Sequence, residues 1–98
     1  MARNRDRQDD PTPEKSVLTF PCVFPMKVMG RREDGFAQTV SEVVRRHAPD
    51  FQPSTIEMRA SKNGRYLSLT ITINAKSRAQ LDALYSELSR HPMVMMVL

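Results

Sequence analysis

The sequence predicts an α+β fold in the order β-α-β-β-α-β. Three observations carry that prediction. Apolar residues recur at helical spacing in two separated stretches, around 36–47 and 81–88. Between them, two runs of alternating apolar and polar residues flank the Asn-Gly of "KNG" (62–64), the signature of a β-hairpin. Short apolar runs, "MKVMG" (26–30) and "MVMMVL" (93–98), stand outside the helical stretches.

Residues 1–19 hold no apolar periodicity and carry two prolines, Pro11 and Pro13. They are expected to form a disordered tail ahead of one domain at 20–98. "VLTFPCVFP" (17–25) reads as an entry segment, because each Phe before a proline favours extended backbone. The first strand then runs through "MKVMG". Pro25 is expected only at its start, since a proline inside a central strand forfeits a ladder hydrogen bond, and Gly30 at its end.

"REDGFAQTVSEVVRRHAPD" (32–50) reads as an amphipathic helix. Phe36, Val40, Val43, Val44 and His47 share one face. Arg45, Arg46 and His47 complement the dipole in its last turn, and Pro49 stops it. "STIEMRAS" (54–61) alternates Ile56, Met58 and Ala60 against Thr55, Glu57 and Arg59, as a half-buried strand does. "RYLSLTITINA" (65–75) alternates again, with Leu67, Leu69, Ile71 and Ile73 on one face. Ser77 and Gln80 form a capping box that opens a second helix presenting Leu81, Leu84, Tyr85 and Leu88. That helix ends in Arg90, His91 and Pro92. Each helix thus closes on Arg-His with a proline shortly after, an echo between the two halves. Two right-handed β-α-β units in this order give a ferredoxin-like sandwich. Its four-stranded antiparallel sheet has strand order 4-1-3-2, with both helices on one face.

Composition narrows the function by exclusion. The chain has 98 residues, 40% of them hydrophobic and 27% charged, as an ordinary globular domain does. A domain of this size buries roughly 60–65% of its unfolded surface, enough for one modest core. The single cysteine, Cys22, allows no internal disulfide, which suits a reducing compartment. No apolar stretch reaches the ~20 residues that span a bilayer, and no signal-peptide pattern opens the chain. The expected place is the cytoplasm, with no membrane partner. The net charge of +4 lies on the folded part, because charges in residues 1–19 cancel. That excess permits an acidic partner without demanding one.

RNA-recognition domains share the predicted fold, and their third strand places stacking aromatics on the open sheet face. Here, past Tyr66, that face offers Ser68, Thr70 and Thr72, and the first strand has no aromatic. Stacking contributes about 1–3 kcal/mol per base, so RNA reading by the sheet face is not expected. No paired-carboxylate, nucleophile-elbow or phosphate-loop motif appears. His47 and His91 end different helices, at opposite ends of the predicted domain, so they share neither a metal nor a proton relay. Cys22 is expected nearer the His47 end, short of the three or four ligands that zinc needs. No catalytic residue, metal or cofactor is expected, and the chain is read as no enzyme.

The segments "FPMKVMG", "VVRRHAPDF", "RASKNGRYLSLTITINA", "SRAQLDALYSEL" and "HPMVMMVL" resemble the YbeD-like family of small bacterial proteins. The resemblance runs over residues 20–98. It implies a ferredoxin-like fold akin to ACT-type regulatory domains, and it suggests a link to lipoate metabolism. It supplies no catalytic residues.

Two candidate sites follow. The first is a basic end, where the loop after the first strand meets the hairpin: Gly30, Arg31, Arg32, Lys62 and Arg65, with Arg90 and His91 nearby. It suits a small anionic ligand or an acidic protein surface, and ACT-type domains bind ligands near the same loop. Its plainer reading is a solvated charge cluster, partly neutralised by Glu33 and Asp34. The second is the last strand, Met93, Val94, Met95, Met96 and Val97, an uncharged edge without proline. Edges are normally blunted, so a homodimer through the sheet edge, or a docked protein, would cover it. Its plainer reading is a strand whose apolar residues fill the core. The function expected is a small regulatory or adaptor domain that binds a protein partner or a small anionic ligand. The alternative is a nucleic-acid-binding module that uses the basic end.

Overall fold

The computed structural model describes residues 18–98. The tail expected at 1–19 lies, up to residue 17, outside the described residues. Four strands and two helices follow in the expected order: β1 (Cys22–Arg31), α1 (Phe36–His47), β2 (Glu57–Ala60), β3 (Tyr66–Ala75), α2 (Arg78–Arg90) and β4 (Val94–Val97). The sheet order is β2-β3-β1-β4, and each neighbouring pair is antiparallel. This is the predicted sandwich.

The core forms where the two periodicities meet. Met26 and Val28 of β1 and Leu69, Ile71 and Ile73 of β3 alternate onto the helix side of the sheet. Phe36, Val40, Val43 and Val44 of α1, with Leu81, Leu84 and Leu88 of α2, close over them. Phe51 adds a buried ring after the turn that ends α1. Tyr85, expected on the same face, is half-buried. Its ring meets Phe24 edge-on at 6.3 Å, and its hydroxyl donates to the Leu98 carbonyl at 3.3 Å. Burial pushes its phenol pKa up.

Several boundaries differ from the sequence expectation. β1 begins at Cys22, so Pro25 lies inside a central strand, opposite Thr72. The geometry explains the tolerance. The Lys27 N–H bonds to Leu98 on the β4 side. By strand alternation the Pro25 nitrogen faces the same way, beyond the stretch where β4 accompanies β1. The missing N–H therefore costs no bond to β3. α1 begins only at Phe36, because Gly35 adopts φ 82° and turns the chain into the helix. β2 is shorter than expected because Pro53–Thr55 form a 3-10 turn, in which the Thr55 hydroxyl donates to Gln52 at 2.6 Å. Met58 and Ala60 lie on the helix side, yet both are exposed. Neither helix closes over β2, so a groove of about 470 Å³ separates it from α1, and Met58 is 58% exposed.

The capping box at α2 is half as predicted. The Gln80 N–H donates to Ser77 Oγ at 3.0 Å. The Gln80 side chain accepts not from Ser77 but from the Lys76 N–H at 2.6 Å, and donates to the His47 carbonyl at 2.8 Å. One amide therefore caps α2 and ties it to the end of α1.

Candidate functional site

The basic end is assembled by the β1–β3 ladder. Arg31 stands directly opposite Tyr66, and pairing continues one step further through the Arg32 N–H to the Arg65 carbonyl at 2.8 Å. The hairpin between β2 and β3 is fixed by Asn63, whose side-chain oxygen accepts from the Ser61 hydroxyl at 2.9 Å and the Arg65 N–H at 3.0 Å. Gly64 supplies the positive φ of 75° that the turn needs, and it lies beneath the Arg32 guanidinium. These constraints hold Arg31, Arg32 and Arg65 around one open hollow of about 620 Å³, which Glu33 and Tyr66 also line.

Among the described residues, no carboxylate lies within ion-pair distance of Arg31, Arg32 or Arg65. Glu33 reduces the local positive charge without pairing with it. Guanidinium groups left in this state favour carboxylates and phosphates, which accept two parallel N–H donors at once.

The remaining members of the predicted cluster do not line this hollow. Gly30 is buried and is not among the residues lining the hollow. A methyl group there would overlap the Met93 carbonyl oxygen and the Phe36 ring. Its lack of a side chain serves packing between β1, α1 and the start of β4. Lys62 sits exposed in the hairpin turn and is not among the residues lining the hollow. His91 accepts the Met93 N–H at its Nδ1, at 3.1 Å, and so shapes the turn into β4. The residue the sequence reading missed is Tyr66. Alternation put it on the open face, and its pairing with Arg31 places it on the wall of the basic hollow.

The second candidate, β4, is an edge as expected. It is also irregular. Met29 and Gly30 of β1 face Met96 and Val94, so Met95 is an extra residue on β4. This corrects the expectation of an unblunted edge, because a bulge twists an edge away from pairing. Met93, Val94 and Val97 pack against the core, whereas Met95 is 59% exposed and Met96 50% exposed.

The two histidines have separate partners: His91 caps the end of α2 and bonds the Met93 N–H, whereas His47 lies beside α2. His47 reaches Glu87 Oε1 at 2.7 Å, and Arg46 bonds the other carboxylate oxygen. The His47 contact first, and Arg46 second, hold the Glu87 carboxyl below its ordinary pKa. Nearby, Lys76 pairs with Asp50 at 3.6 Å. Among the described residues, no helix is long and apolar enough to cross a membrane.

Residues 15–98 match the family described as "Protein of unknown function (DUF493)". A UPF0250 protein of Nitrosomonas europaea is 54% identical over 85 residues, which cover 87% of this chain and 98% of the relative. One from Bordetella pertussis is 54% identical over 86 residues, covering 88% and 94%. A solution structure of a Helicobacter pylori protein superposes with a TM-score of 0.68 at 17% identity, over 84% of this chain and 86% of that one. The ACT domain from the GTP pyrophosphokinase of Chlorobium tepidum gives 0.61 at 18% identity, over 79% and 83%. At such identities the likeness is one of fold.

Proposed function

The chain belongs to the DUF493 family of small bacterial proteins with an ACT-like ferredoxin fold, and from that premise we propose that it is a regulatory or adaptor domain that acts by binding. Its contact is the arginine end of the sheet. The occupant is a small anionic ligand or the acidic surface of a protein partner. One observation carries this reading: Arg31, Arg32 and Arg65 surround a single hollow with no carboxylate paired to them among the described residues. The suggested link with lipoate metabolism names the first partners to try.

The test is capture of partners from native lysate on the tagged chain, with and without nuclease. Alongside it runs a variant with Arg31→Glu and Arg32→Glu. Partners that survive nuclease and are lost from the variant support the reading. A variant that keeps every partner refutes it. Partners lost on nuclease treatment assign the arginine end to nucleic acid, whose binding weakens steeply with salt.

A second reading rests on β4. Met95 and Met96 are exposed on an uncharged edge strand, and methionine suits adaptable contacts. Contact between these methionines, rather than ladder pairing of the bulged edge, would hold a homodimer. Sedimentation velocity at rising concentration tests it, and a strict monomer discards it.

A further inference from the structure

The basic hollow has a neighbour of opposite character. Tyr66 walls both of them. On its far side lies a smaller hollow of about 150 Å³ on the open sheet face, where Met29, Arg59 and Ser68 also line the walls. The placement follows from register. Ser68 stands between Met29 and Arg59 on neighbouring strands, one outward position along β3 from Tyr66, which itself faces Arg31. Tyr66 is 39% exposed, so part of its ring is open to a ligand.

We propose that this composite surface binds a nucleoside phosphate. The phosphates lie among Arg31, Arg32 and Arg65, and the base lies against Tyr66, over the small hollow that Met29 also lines. The proposal rests on the reading of the arginine end as an anion site and adds the ligand class. A bare anion would leave the apolar hollow empty. An acyl carboxylate brings one negative charge to a trio of guanidinium groups, and its chain needs a longer trough than 150 Å³ provides. One ring system beside a polyanion uses both parts. Ser68 and Arg59 supply polar groups at the edge of the small hollow, where a base or ribose presents its own donors and acceptors. A tyrosine face is a sequence-tolerant stacking platform.

The test is calorimetric titration of the full chain with pyrophosphate, ribose 5-phosphate, and adenosine and guanosine diphosphate at fixed salt. The diphosphates should bind roughly five- to a hundredfold more tightly than pyrophosphate, the range that stacking of one base supports. Tyr66→Leu should erase that advantage and leave pyrophosphate affinity unchanged, whereas Tyr66→Phe should keep it. Arg31→Gln with Arg65→Gln should weaken pyrophosphate and diphosphates together. Equal affinity for pyrophosphate and the diphosphates overturns the nucleoside assignment and leaves the anion site standing. Absence of binding by every probe overturns both. A short 5′-phosphorylated single strand that displaces the diphosphate assigns the ligand to a strand end. Failure to displace it assigns a free nucleotide.

Discussion

The two ends of this domain use the same residue types for different purposes. At one end, Arg46 and His47 close α1 and are both taken up by Glu87 of α2, while Lys76 pairs with Asp50. Those side chains join elements of the fold. Arg45 beside them is exposed and lines a shallow hollow with Glu42, so the pairing is not total. At the other end, Arg31, Arg32 and Arg65 are held in place by backbone bonds and a glycine turn, and their guanidinium groups join nothing within the described fold. Positive charge alone therefore does not mark a site. What distinguishes the two ends is whether a carboxylate from another element already occupies the cation.

That contrast breaks most severely if the scaffold under the arginines is disturbed. Gly30→Ala drives a methyl into the Met93 carbonyl oxygen and the Phe36 ring, and the carbonyl belongs to backbone. Overpacking of this kind costs about 1–3 kcal/mol or more. Chemical denaturation of the variant should show the loss. Full stability would mean that Gly30 is not a packing constraint.

Glu87→Gln probes the paired end with a smaller effect. An exposed ion pair contributes at most about 1 kcal/mol. Its signature is in the pH dependence. The Glu87 carboxyl titrates lower in the folded chain than when unfolded, so its contribution is present above the ordinary glutamate pKa. It fades as pH falls through the lowered folded value. Denaturation curves across the acid range should show that decline in the parent chain, and a flatter one in Glu87→Gln. Identical slopes would remove the structural role assigned to this pair.

Arg31→Gln and Arg32→Gln should change stability least, within about 0.5 kcal/mol, because exposed groups without an ion pair among the described residues contribute little to folding. A loss comparable with that of Gly30→Ala would place these arginines among the structural cations and erase the distinction between the ends. Met95→Lys should likewise fold normally, since Met95 is 59% exposed. It should abolish any self-association of β4 seen by sedimentation.

Much of this architecture is legible in the sequence because periodicity and turn chemistry act locally. The alternation from Leu67 to Ile73 and the spacing of Phe36, Val40, Val43 and Val44 name the buried faces directly. The hairpin is legible in Asn63-Gly64, although Asn63 works through its side chain while Gly64 supplies the turn. Pro25 misleads, because whether a missing N–H matters depends on how far a strand near residue 98 extends beside it. The β4 bulge is also hidden, since register is a property of two strands and not of one. At the site, Arg31, Arg32 and Arg65 were placed together by topology alone. Gly30 and Lys62 were grouped with them by nearness in sequence or turn, but neither lines the hollow. Tyr66 was visible only as an outward residue. Its place beside the arginines needed the pairing of Arg31 with Tyr66.

The most direct test of the contrast between the two ends is an amide chemical-shift titration of the full chain with pyrophosphate. If Arg31, Arg32 and Arg65 form the binding end, shifts should concentrate at Arg31, Arg32, Glu33, Arg65 and Tyr66, and leave Arg46, His47 and Glu87 unmoved. Equal shifts at both ends, or none at the arginine end, would contradict it.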